Sequence, residues 1–218
     1  MQPNQSMQNE LASRFTSRSA FIDPTAVVAG PFHGRHMHGL KDGDYRSLKQ
    51  SIREAGGNVA PVLVCTRSGD VLELVFGRRR LQACLELGLP LFSVESGNMA
   101  QAQAFEMMLR EASHNWSVYE IGTSVHLALE RALFPSTRRL GEACGMTLSN
   151  VQCALELARL PRAVVDAFDS PTSIDAATSR RLRKALEVDP ARMVRRASEL
   201  KPAQGLSARR VADLLCSN

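Results

Sequence analysis

Between Thr147 and Gln152 the sequence TLSNVQ gathers four hydrogen-bonding side chains, Thr147, Ser149, Asn150 and Gln152, at the start of what reads as a helix. The carboxamides of Asn and Gln donate and accept at once, the pattern that reads an adenine edge in a DNA major groove. Arg138, Arg139, Arg159 and Arg162 flank them, where forked cations would grip phosphates and fix register. A second set lies upstream. Gly77-Arg78-Arg79-Arg80 sits between a strand pattern and a helix pattern, and Gly56-Gly57-Asn58 sits at the preceding helix-to-strand corner. Amides at a helix start attract anions, arginines add bidentate charge, and glycines allow close backbone approach. The anion is open at this level: a nucleotide's phosphates, or those of DNA. His33, His36 and His38 cluster too. A metal centre would need a fourth ligand and firm geometry, so no metal is expected, and the surrounding glycines suggest a loop that meets phosphate. Acidic residues are absent from the Gly77–Arg80 corner, and Glu73 and Glu106 are isolated. Binding is therefore expected before catalysis; a nucleotidase or nuclease is the alternative.

The elements that must position these groups follow from periodicity. Residues 136–161 read as a helix-turn-helix. Ser136 or Thr137 caps the first helix, Gly145 ends it in a left-handed conformation, and Thr147 caps the second. Leu140, Cys144, Met146, Val151 and Ala154 fall where such a motif buries apolar side chains, and Gly141 where the helices cross closely. Upstream, a helix is expected over Tyr45–Ala55, strands over Val59–Thr66 and Val71–Phe76, a helix from Gly77 to Gly88, a strand at Leu91–Val94 and a helix over Ala100–Ala112. Ser117 with Glu120 is a capping box that opens a helix over Tyr119–Leu133. Further helices are expected over Ala163–Phe168, Ile174–Leu186 and Pro190–Leu200.

The chain has 218 residues and a formal net charge of +5. From Ser136 onward it holds 14 Lys+Arg against 9 Asp+Glu; the preceding residues hold 13 of each. The whole surplus thus accompanies the helix-turn-helix, which implies a polyanionic partner. No apolar run approaches the roughly 20 residues of a membrane span. The five scattered cysteines suit reduced thiols in a cytoplasm.

Four stretches in this order, SIREAGGNVAPVLV, VFGRRRLQACLELGLP, REASHNWSVYEIG and FPSTRRLGEACGMTLSNVQCALELARLP, resemble the ParB/RepB family of bacterial partition proteins. The resemblance implies an α+β chain, with a small mixed-sheet nucleotide-binding-like domain (31–115) and an all-α DNA-binding domain (116–200); the polar, aperiodic start reads as a flexible arm (1–30) and the end as a linker and C-terminal helix (201–218). It implies a protein that binds a centromere-like inverted repeat, acts with a ParA-type ATPase, and uses CTP with magnesium to clamp DNA. A transcriptional repressor on the same scaffold is the alternative. On these motifs Gly77, Arg79 and Arg80 match, but Ala60 replaces the usual Gln, Arg78 a usual Glu, and Leu109 and Arg110 the usual Glu and Asn. Those acidic and amide groups hold magnesium in the family. CTP held by arginines is therefore expected without a fitted magnesium site, and weak CTP hydrolysis stays open. Family members often end in a separate dimerisation domain. Here a single helix follows the linker, so either a homodimer forms through another surface or the chain is a shortened member.

Overall fold

The computed structural model describes residues 18–33, 43–112, 116–200 and 205–217. They divide into two compact units, the second beginning at Leu109. The first is α+β. Its five strands are β1 (Arg18–Ile22), β2 (Val27–Ala29), β3 (Val62–Arg67), β4 (Val71–Phe76) and β5 (Leu91–Glu95), in the order β1-β5-β3-β4-β2. The pairings β1/β5 and β3/β4 are antiparallel, while β3/β5 and β2/β4 are parallel. The sheet is therefore mixed, with α1 (Gly43–Ala55), α2 (Arg78–Leu87) and the start of α3 (Gln101–Ala112) placed around it.

The run VLVC of β3 explains the layering. Successive strand residues face opposite sides. Val62 and Val64 join Leu74, Leu81, Cys84, Leu91 and Ile52 of α1 in one cluster. Leu63 and Cys65 join Val75, Met99 and Ala104 in another. A central strand covered on both faces reads as an unbroken apolar run.

Residues 18–29 were expected to belong to the flexible arm. Instead they form β1 and β2, the two edges of the sheet. Arg18 stands opposite Glu95 and Ile22 opposite Leu91, and Ser93 Oγ donates to the Ala20 carbonyl at 3.1 Å. Other boundaries shift as well. β3 starts at Val62, after Pro61, because Asn58 and its neighbours form a corner. The helix expected to reach Leu133 ends at Glu130, and Ala132 then takes a φ of 52°.

The second unit is helical: α4 (Val118–Glu130), α5 (Thr137–Cys144), α6 (Leu148–Ala158), α7 (Arg162–Asp166), α8 (Ala176–Val188), α9 (Pro190–Leu200) and α10 (Ala208–Cys216). Ser117 and Glu120 form the expected capping box at the start of α4. Leu157, Val164, Phe168, Ile174, Leu182, Met193, Val211 and Leu215 make one core across α6 to α10. No helix among the described residues is long and apolar enough to cross a membrane.

Candidate nucleic-acid interface and anion corner

Local chemistry builds the α5–turn–α6 hairpin. Ser136 Oγ accepts from the Arg139 amide at 3.2 Å and starts α5. Gly145, with φ of 71°, ends it. Thr147 Oγ1 accepts from the Asn150 amide at 3.2 Å and starts α6. Leu140, Cys144, Val151 and Ala154 are buried between helices, while Met146 is half-buried. Gly141 has to be small: a Cβ there would lie 2.9 Å from the Met146 carbonyl oxygen. A tighter crossing fixes α6 from the other side. At Gly122 of α4, a Cβ would lie 2.0 Å from the Ala154 carbonyl oxygen.

Thr147, Ser149, Asn150 and Gln152 are all exposed at the N-terminal end of α6. Cys153 is half-buried. Leu148 shares the exposed end at 43% exposure; its place outside the Val151–Ala154–Leu155 stripe is the signal for it in the sequence. The four arginines are exposed as well. Arg138 Nε and Arg139 Nη1 share Glu142, at 2.9 and 3.2 Å. These contacts, Arg138 first, hold the Glu142 carboxyl below its usual range. Arg162 Nε pairs with Asp166 at 3.4 Å. Pairs this exposed contribute little to stability and exchange readily for another anion.

The anion corner forms where β4 hands over to α2. Gly77 caps α2 with φ of 101°, and a Cβ there would lie 2.6 Å from Val62 Cγ1, so only glycine fits. It supplies no side-chain acceptor to the first amides of α2. Arg78, Arg79 and Arg80 are half-buried. Arg80 Nη1 donates to the Pro61 carbonyl at 2.6 Å. Arg78 Nε is enclosed without a partner among the described residues, and burial pulls its guanidinium below the usual range. His33 joins the corner electrostatically. Burial, then Arg78, opposed by the Leu74 contact, leave its imidazole below its ordinary value. Its Nε2 lies 2.9 Å from the Leu74 carbonyl, which only accepts, so Nδ1 is left as the acceptor. His36 and His38 lie outside the described residues.

Asn58 needs correction. It is 4% exposed. Its amide nitrogen donates to the Ala60 and Phe92 carbonyls at 2.9 and 2.8 Å, and its oxygen accepts from the Phe92 amide at 2.8 Å. The Asn58 side chain therefore staples the corner to β5. Gly57 is buried and Gly56 exposed, with φ of 70°.

The corner does not fit magnesium, which wants several oxygen ligands: Arg78 there is cationic. In the second unit, Leu109 is buried hydrocarbon and Arg110 Nη2 donates to the Ala143 carbonyl at 2.8 Å. Glu73, on β4, is held by Arg67 Nη2 at 2.8 Å. Among the described residues no three His, Cys, Asp or Glu side chains gather at one point.

Residues 7–113 match the family model for the ParB N-terminal domain. No curated protein matches the chain by sequence. Among solved structures, the chain is similar to the C-terminally truncated chromosome-partitioning protein ParB of Caulobacter crescentus complexed to the centromeric parS site. That likeness has 20% identity and a TM-score of 0.50, covering 92% of this chain and all of that one. It is also similar to a Pnob8-like ParB-N domain, at 12% identity and a TM-score of 0.54, covering 93% and 94%. The Caulobacter protein complexed with CTP-gamma-S matches at 22% identity and a TM-score of 0.37, covering 84% and 98%. At these identities the first two likenesses are ones of fold.

Proposed function

The chain belongs to the ParB family, its N-terminal half carrying that family's domain, and on this premise we propose that it binds a specific DNA site in plasmid or chromosome partition. The observation that carries the reading is the exposed polar end of α6, presented by a capped hairpin with arginines on both flanks. A helix end of this kind enters a major groove. Asn150 and Gln152 then read base edges, Thr147 and Ser149 assist, and Leu148 offers a hydrocarbon to a thymine methyl. Arg138, Arg139, Arg159 and Arg162 hold phosphates. The site is a centromere-like inverted repeat read by a homodimer, since palindromes mirror protein symmetry. A ParA-type ATPase is the partner, and the location is the cytoplasm, on the nucleoid or a plasmid.

The corner at Gly77–Arg80 binds CTP. Its arginines and the first amides of α2 hold the phosphates. The protein groups bind and orient the nucleotide.

Selection of bound DNA from a random pool tests the site. Asn150→Ala with Gln152→Ala is expected to remove about 2–5 kcal/mol of discrimination, roughly 30- to 4,000-fold, while weak, salt-sensitive general binding survives. Unchanged preference in the double variant refutes the reading.

A further inference from the structure

We propose that the Gly77–Arg80 corner takes a nucleoside triphosphate as the free anion, with the Arg78 guanidinium standing where a divalent cation would otherwise neutralise the phosphates. The proposal rests on reading the corner as a nucleotide site. Three observations carry it further.

First, the corner is cationic throughout. Arg78, Arg79 and Arg80 follow one another at the start of α2, and Glu73 of β4 is already occupied by Arg67 at 2.8 Å. A divalent ion there would meet like charge, with the Glu73 carboxylate already paired. Second, Arg78 has no ion pair among the described residues. It is half-buried, and its Nε is enclosed with no partner among the described residues. An uncompensated, partly desolvated charge is unfavourable until a counter-charge arrives. Phosphate oxygens suit a guanidinium, which meets two of them in one plane. Third, the glycine at the cap leaves the first amides of α2 without a side-chain acceptor. They add fixed positive ends to the same anion.

A consequence of opposite sign to a magnesium-requiring site follows. Magnesium chelates free nucleotide in solution. If the corner takes the free anion, magnesium competes with the protein and weakens binding. If the corner takes the chelate, magnesium strengthens it.

The experiment is calorimetric titration of CTP into the full chain, in EDTA and across a millimolar magnesium series. The expected result is tightest binding in EDTA, with the apparent Kd rising several-fold as magnesium is added. Arg78→Glu is expected to reverse that order; Arg78→Gln, checked for native circular dichroism, is expected to weaken binding in EDTA without creating a magnesium requirement. Tighter binding with magnesium in the unaltered protein overturns the proposal and leaves the nucleotide site standing. No CTP binding in either buffer, with specific DNA binding intact, overturns the nucleotide site and the proposal together.

Discussion

Gly122→Ala places two effects of opposite sign at one position. Alanine is a better helix former than glycine by about 1 kcal/mol, so propensity alone raises stability. Packing opposes it. The added Cβ would sit 2.0 Å from the Ala154 carbonyl oxygen, 2.8 Å from the carbonyl carbon and 3.2 Å from Ala158 Cβ. An ordinary carbon–oxygen contact is about 3.3 Å or more, so α4 and α6 must part by more than about 1 Å. The obstacle is backbone inside α6, which has no alternative rotamer. Overpacking without such an escape falls at the upper end of its usual range, about 3 kcal/mol. The net expectation is a loss of about 2 kcal/mol, read as a lowered midpoint in urea unfolding followed by circular dichroism. Because α6 carries the proposed base-reading groups, site-specific DNA binding should weaken more than general binding. Gly43→Ala is the matching control, since nothing lies within 4 Å of its added Cβ. An unchanged or raised midpoint for Gly122→Ala refutes the close crossing.

Two further outcomes follow from the first unit. Gly77→Ala combines a φ of 101° with a 2.6 Å approach to Val62 Cγ1. It should destabilise that unit by about 2–4 kcal/mol in thermal melts; a change below about 0.5 kcal/mol would sink the argument. His33 is held below its ordinary imidazole range, chiefly by burial. As pH falls through about 6.5, the unfolded chain takes up a proton that the folded chain refuses, so stability declines with acidification. His33→Gln should flatten that part of the Tm–pH curve, and an identical slope in the variant would show that other groups carry it.

The helix-turn-helix was legible because its signals are local. Ser136, Gly145 and Thr147 each act within three or four residues of themselves, and so does the Ser117–Glu120 box. What escaped depends on distant partners. β1 exists only because β5, far along the chain, accepts it, with Ala20 opposite Ser93; five residues of mixed polarity give no sign of that. Asn58 looked available beside two glycines, but Phe92 claims its side chain across the corner. Nothing local to Gly122 signals its crossing, because the Ala154 carbonyl comes from another helix.

The strand order carries a geometric consequence. β1 and β2 lie at opposite edges of the sheet, yet only residues 23–26 separate them in the chain. Laid flat, four inter-strand steps of about 4.8 Å span about 19 Å. The five peptide steps from Ile22 to Val27 reach at most about 17–18 Å fully extended, and a 3-10 turn at Pro24–Ala26 shortens them further. A planar sheet is therefore impossible. The strap draws its two rims toward each other, and the length of those four residues sets how far the sheet must curl.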